Sequence, residues 1–302
     1  LPNLLPIKIL IISDGKPGHY NQSMGLAEAI QRLHCAEVTL EQVSPLSRMQ
    51  NLGLLLGFSK LQSLCPQAIA ADYIIAAGHR CHLSLLALSQ ASGAKSVLMM
   101  KPSWPLSWFG FCIIPEHDGL QGSSRVLLTK GAVNRIVYRG ESKSLKLILL
   151  GGPSKHFKWD EELVLSQLEQ ITQTEAGLEW QLITSRRTPA AFVLRLQQRF
   201  AGLRLVQPDD VDSNWLANQL PLASHCWVSQ DSMSMIYECL TAQAELGLIK
   251  LPLAASNKPN KVSLGVQQLV AAGVIADGIK PATQSCILQE AERCAGLILA
   301  NG

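Results

Sequence analysis

Short apolar runs alternate along the chain with stretches of helical periodicity. Ile7–Ile12, Glu37–Glu41, Tyr73–Ala77, Ser96–Met100 and Phe111–Ile114 read as strands in the first half. Leu145–Leu150, Glu179–Thr184, Leu203–Val206, Cys226–Ser229 and Leu248–Lys250 follow in the second. Amphipathic patterns lie between most of them, at Asn21–Leu33, Ser84–Ser92, Asp160–Thr174 and Ala190–Phe200. Strands that are apolar at consecutive positions are buried on both faces, and strand–helix alternation makes right-handed crossovers in a parallel sheet. The expected class is α/β.

The polar, non-periodic stretch Tyr138–Lys146 divides the pattern into halves of similar size, each opening with strand, glycine loop and helix. The expectation is two doubly wound, Rossmann-like domains, 1–142 and 143–283, facing a cleft where strand carboxyl ends meet a ligand. Residues 284–302 add a last helix, expected from about Thr283 to Leu299. A length of 302 residues suffices for two cores.

Composition narrows the class of function. With 16% charged residues, a net charge of +3 and no Lys/Arg block, nothing points to nucleic acid. Cys35, Cys65, Cys81, Cys112, Cys226, Cys239, Cys286 and Cys294 form no Cys-x-x-Cys pair and read as reduced core residues of a cytoplasmic protein. His79, Cys81 and His82 cluster in "GHRCH" with no second ligand group to complete a metal site, so no metal is expected. No signal-peptide pattern and no run approaching ~18 apolar residues is present. The opening Leu1 reads as a start that has been lost.

Five loops carry more chemistry than turns need. In "SDGKPGHYNQ", Gly15 and Gly18 allow close backbone approach ahead of a helix N-terminus, with Asp14, Lys16, His19 and Gln22 around them. The Gly-x-x-Gly spacing matches neither a dinucleotide fingerprint nor a Walker loop. "LLGGPSKHFKWD" ends a strand on Gly151 and Gly152, adds Ser154 and Lys155, and offers Asp160 as a helix cap. "TSRRTP" sets Ser185, Arg186 and Arg187 at a strand end, with Thr188 as the expected N-cap and Pro189 at the first helical position. In "DSMSMIYE", Asp231 or Ser232 would cap a helix on which Ser234 and Glu238 share one face. A hydroxyl near a helix end suits phosphate, and a carboxylate one turn deeper can accept from a ribose diol. "PEHDGL" holds Glu116, His117 and Asp118, suited to acid–base work or to plain surface charge.

With "LLTKGAVNR", these motifs resemble, in order and over nearly the whole chain, the family named for plant mitochondrial-fission "elongated mitochondria" proteins, which has many bacterial members. The resemblance implies a GT-B-type glycosyltransferase fold, similar in plan to the N-acetylglucosaminyltransferase that completes lipid II. It implies a nucleotide-sugar donor held by the C-terminal domain, a glycan or glycolipid acceptor on the N-terminal one, and no cofactor or metal. Gly151, Gly152, Ser154 and Lys155 would face the diphosphate, and Ser185 and Arg186 the base or phosphates. Ser232, Ser234 and Met235 would lie at the helix end, with Glu238 on the ribose. His19 would be the general base, with Asp14 the second candidate, and Gly15, Lys16, Gly18, Gln22, His79, Glu116 and His117 on the acceptor side. The last helix would pack back on the first domain. A non-catalytic protein-binding platform and a sugar-nucleotide epimerase are the alternatives on the same fold.

Two stretches depart from the family pattern. "TAQAELGLIKLP" replaces a Gly-x-Pro turn after "YECL", and "MKPSWPLSWFGF" brings Trp104, Trp108, Phe109 and Phe111 into the first domain. Leu46–Leu64 is apolar around most of its circumference, which is expected to mean core packing. The alternative is a patch touching the inner face of the cytoplasmic membrane.

Overall fold

A computed structural model describes residues 6–34, 38–174, 180–212, 214–254, 261–271, 273–275 and 288–301. The chain forms two compact units. Unit 1 comprises Leu1–Arg135 with Gln289–Gly302, and unit 2 comprises Ile136–Leu288.

Unit 1 is built on six parallel strands, β1 (Ile7–Ile12), β2 (Val38–Val43), β3 (Tyr73–Ala77), β4 (Lys95–Met99), β5 (Phe111–Pro115) and β6 (Val126–Thr129), in the order β2-β1-β3-β4-β5-β6. Its helices are α1 (Pro17–Leu33), α2 (Arg48–Leu55), α3 (Leu61–Leu64) and α4 (His82–Ser92). Strand β1 explains the layering. Ile9 and Ile11 enter the core that holds Leu26 and Ile30 of α1, while Leu10 and Ile12 enter the one that holds Leu85 and Leu88 of α4. A strand between two helical layers needs apolar residues at every position.

Unit 2 repeats the plan with β7 (Leu145–Leu149), β8 (Trp180–Ile183), β9 (Arg204–Val206), β10 (Ala223–Ser229) and β11 (Glu245–Ile249), all parallel, in the order β11-β10-β7-β8-β9. Helices α5 (Glu161–Thr174), α6 (Ala190–Arg199), α7 (Trp215–Gln219), α8 (Met233–Thr241) and α9 (Lys261–Ala271) accompany it. The last helix, α10 (Glu290–Asn301), belongs to unit 1. Its Ala291, Cys294, Ala295 and Ile298 join the α1 core, and Arg32 of α1 donates to Glu292 at 2.5 Å.

Several element boundaries differ from expectation. Helix α1 begins at Pro17 rather than Asn21, because proline fits the first helical turn, where its missing N–H costs nothing. Strand β6 was not foreseen; its apolar run is only "VLL" before Thr129. Strand β11 starts at Glu245, three residues before the expected Leu248, because Gly247 interrupts the apolar run. That glycine lies against the Trp227 ring, where a Cβ would fall 2.5 Å from a ring carbon. Leu46–Leu64 is not one helix. It breaks into α2 and α3 around Gly57, whose φ is +76°. The expected starts at Glu37, Glu179 and Thr283 lie outside the described residues, as do Cys35 and Cys286. The other six cysteines are buried and free.

Candidate functional site

In each unit the strand order reverses beside the first strand, the place where loops at strand carboxyl ends can part around a ligand. In unit 1 this is the junction of β1 and β3. The loop after β1 carries Asp14, whose side chain is 1% exposed, and the first turn of α1 carries His19. His19 Nδ1 lies 3.1 Å from both Asp14 oxygens. Since a carboxylate only accepts, Nδ1 carries a proton, so in the neutral ring the lone pair is on Nε2. Burial alone would raise the Asp14 pKa, but the Lys16 N–H, the His19 bond, and the charges of a protonated His19 and of Lys16 outweigh it and hold the carboxyl below its usual value.

Gly78, straight after β3, closes this arrangement. Its φ is +88°, and a Cβ there would sit 2.3 Å from His19 Nδ1. Only glycine permits both that backbone and that contact.

Beside the dyad lies a cavity of about 1080 Å³, bordered by Asp14, by the loop from β2 into α2, by His79 and Arg80, and by Trp104. His79 Nδ1 is 3.0 Å from Ser103 Oγ. Behind it His82 is buried, and burial followed by the His79 charge lowers its pKa to about 4. Gly15 borders the cavity. Gly18 sits inside α1, Gln22 is further along it, and Lys16 is 3.8 Å from Asp14. Glu116 and His117 are exposed on a turn after β5 and do not line the cavity.

In unit 2 the order reverses at β7 and β10. The Gly151 N–H donates to Ser229 Oγ at 2.7 Å, and the Gly152 N–H to Asp231 Oδ2 at 3.1 Å. Ser229 Oγ in turn donates to Asp231 Oδ1 at 2.7 Å. The two amides are therefore already engaged by the protein. Asp231, 0% exposed at its side chain, also pairs at 2.7 Å with Arg187, which donates from the same nitrogen to the Gly152 carbonyl. A Cβ on Gly151 would fall 2.2 Å from Asp231 Oδ2, and one on Gly152 would fall 2.1 Å from the Arg187 carbonyl oxygen. The glycine pair thus lets two neighbouring loops close on the first.

The remaining groups divide between support and solvent. Ser185 and Thr188 both donate to the Gly151 carbonyl, so the expected N-cap Thr188 is a loop clip, and Pro189 holds the cap position of α6. Neither Asp231 nor Ser232 caps α8 through its side chain; Asp231 is spent on Gly152, Ser229 and Arg187. Asp160 does cap α5, accepting from Leu163 N at 3.1 Å. Ser154 Oγ accepts from the Phe157 N–H, and Lys155 and Arg186 are exposed. On α8, Ser234 Oγ donates to Glu238 Oε1 at 3.0 Å, and Met235 packs on the core. Burial raises the Glu238 pKa to about 7, against the pull of Ser234.

The sequence profile of the family described as mitochondrial fission ELM1 matches residues 17–301. The chain belongs to the mitochondrial fission ELM1 family. No curated protein matches it. Among solved structures, a Listeria monocytogenes protein assigned as a UDP-N-acetylglucosamine 2-epimerase aligns at a TM-score of 0.55 and 11% identity, over 98% of this chain and 96% of that one. A second UDP-N-acetylglucosamine 2-epimerase gives 0.50 and 12%, over 97% and 86%. Acinetobacter baumannii MurG gives 0.47 and 12%, over 98% and 93%. At these identities the likeness to the two epimerases is one of fold, the GT-B-type pair of Rossmann-like α/β domains.

The "TSRRTP" loop offers both arginines and the family resemblance points to Arg186, whereas Arg187 is the one fixed by a buried partner in this ELM1-family chain. Arg80 and Asn51 carry no sign in the sequence, and Arg48 reads only as a charge near the end of Leu46–Leu64, because a cavity wall assembled from separate loops has no linear signature. On α2 and the turn after it, Met49 and Phe58 are each 85% exposed, and Leu52 and Leu56 are exposed too. The expected core packing of this segment holds for Leu54, with Leu46, Leu55, Leu61 and Leu64 packed partly buried against the same core, but not for Met49, Leu52, Leu56 and Phe58. Trp104 and Trp108, 5.3 Å apart at their ring centres, are also exposed, while Phe109 and Phe111 are buried. No helix among the described residues is long and apolar enough to cross a membrane, and none of their His, Cys, Asp and Glu side chains group as a metal site.

Proposed function

We propose that the chain is a metal-independent, inverting glycosyltransferase that moves a sugar from a nucleotide-sugar to a cell-envelope glycan or glycolipid at the cytoplasmic face of the membrane. The observation that carries this reading is the strand-end cluster of unit 2. There a guanidinium is fixed by a buried carboxylate beside Ser154 and Lys155, and a hydroxyl–carboxylate pair follows on α8. Lys155 and the remaining N–H groups of Arg187 would face a diphosphate, and Glu238 would accept from the ribose hydroxyls. In unit 1, His19 Nε2 would take the proton of an acceptor hydroxyl as its oxygen bonds to the anomeric carbon. The bond from that carbon to the diphosphate breaks, and its electron pair leaves with the phosphate.

Titration calorimetry with UDP, CDP, GDP and ADP tests the donor half; binding by none of them ends the reading. With the matching nucleotide-sugar, affinity rises by up to about tenfold from pH 6 to 8, because only ionised Glu238 accepts from both hydroxyls. Glu238→Gln flattens that dependence. The same raised pKa gives stability that is complete below the ordinary carboxylate range and lost as pH climbs through about 7.

A second reading is favoured by the two solved proteins that share the fold at TM-scores of 0.55 and 0.50, both described as UDP-N-acetylglucosamine 2-epimerases. Isomerisation of the donor with no acceptor present would select it.

The exposed apolar surface of α2, with Trp104 and Trp108, supports a peripheral membrane contact for a lipid-linked acceptor. Co-sedimentation with anionic vesicles is expected, and a Met49→Ser/Phe58→Ser variant loses most of it. Equal binding by both proteins removes the contact.

A further inference from the structure

We infer that the unit 1 cavity takes an anionic sugar, one carrying a phosphate or carboxylate beside the hydroxyl that reacts. This rests on the transferase reading and names the substrate class of its acceptor side. The cavity wall has one carboxylate, Asp14, and that group is already committed to His19 and Lys16. Against it stand two guanidiniums, Arg48 in the first turn of α2 and Arg80 after β3. Both are exposed, and neither pairs with a carboxylate among the described residues. Two unspent guanidiniums on one concave wall form a seat for an oxyanion, since each offers paired N–H groups in a plane.

Asn51 adds an independent sign of a ligand. It lines the same cavity and is 2% exposed. Its Nδ2 donates to the Leu46 carbonyl and to Ser84 Oγ, both at 3.1 Å. The Leu46 carbonyl can only accept, so the amide orientation is fixed and Oδ1 is an acceptor. That oxygen has no partner. A buried acceptor left open costs free energy, and a small shift of the Asn51 amide toward the cavity that its residue lines would let a sugar hydroxyl donate to it. Trp104, at the border of the cavity, presents an indole face suited to the apolar side of a sugar ring. An anion on the arginines, a hydroxyl on Asn51 and a ring on Trp104 describe a charged saccharide rather than free phosphate. Asp14 borders the same space, so the dyad lies at its edge.

The test is calorimetry of the intact chain with methyl glucoside, glucose 1-phosphate and methyl glucuronide. At least one of the two charged ligands should bind about tenfold or more tighter than the neutral one. Arg48→Gln and Arg80→Gln should each remove about three- to tenfold of that preference, and the pair all of it, with methyl glucoside unchanged. Both arginines are on the surface, so folding is not at risk. Raised salt should erode the preference in the parent protein and leave the double variant unaffected. Preference for glucose 1-phosphate alone assigns a phosphate, and for methyl glucuronide alone a carboxylate. Equal affinity for all three ligands, or a preference that survives in the double variant, overturns the inference. Nucleotide binding by unit 2, measured on the same samples, separates the two ideas. Retained nucleotide binding with no charged-sugar preference sinks only this site, and the reverse sinks only the donor reading.

Discussion

His19→Ala lowers kcat by about 10²- to 10⁴-fold while leaving nucleotide affinity within about twofold, because the imidazole acts on the acceptor proton and belongs to unit 1, whereas the donor cluster is built from unit 2. Asp14→Asn produces a loss of the same order by a different route. A carboxylate accepts from Nδ1 and so leaves Nε2 as the base, whereas an amide can donate to Nδ1 and reverse the tautomer. Gly78→Ala should resemble them without altering either polar group, since a methyl 2.3 Å from Nδ1 must push the ring off Asp14. Acid has the same effect on the pair. The Asp14 pKa is depressed, so its contribution to stability is complete above the ordinary carboxylate value and lost as pH falls through the lowered one. Release of nucleoside diphosphate under single-turnover conditions reads all three variants. A His19→Ala protein that keeps more than about a third of the parent rate rules out the imidazole as base.

The sheets were legible because β1, β3, β5 and β7 are apolar at nearly every position, a pattern that only two-sided burial explains. Strand β6 escaped because its apolar run is too short, and the limits of α2 within Leu46–Leu64 did because its exposed face is as apolar as its buried one. Loop chemistry was legible as an inventory but not as a geometry. Gly151 and Gly152 were expected to offer free amides; instead each faces an acceptor from another strand end, and Ser229 had no local feature to announce it. Ser234 and Glu238 were foreseen as neighbours because helical spacing alone fixes that relation. Arg186 and Arg187 cannot be told apart by type. What separates them is a buried carboxylate far along the chain, and pairing across strand ends is a tertiary fact.

Asp231→Ala lowers the melting temperature of the unit 2 transition by about 5–15 °C. The carboxylate is fully buried and serves three donors: Gly152 N–H, Ser229 Oγ–H and the Arg187 guanidinium. Arg187 is 43% exposed and can turn to water. The other two donors cannot, and each orphaned buried donor costs about 1–3 kcal/mol. For a unit of this length, each kcal/mol moves the midpoint by about 2–4 °C. Asp231→Asn is the milder substitute. Its oxygen can still accept from Gly152 N–H and Arg187 while its NH₂ group donates to the Ser229 hydroxyl oxygen, so only the charge opposite Arg187 and the acceptor of the Ser229 O–H are lost, and stability falls by less than in Asp231→Ala. Asp231→Ala also releases Arg187 from its fixed position, and nucleotide affinity falls about tenfold or more as the cation loses its place. Arg187→Gln separates the two roles. It removes the charge and leaves Asp231 its Gly152 and Ser229 partners, so affinity falls by a similar factor with a much smaller shift in melting temperature. Calorimetric scans of the three variants, with and without nucleotide, decide the matter. A shift below about 2 °C in Asp231→Ala means the carboxylate does not hold the loops together, and unchanged nucleotide affinity in Arg187→Gln removes that guanidinium from the donor site.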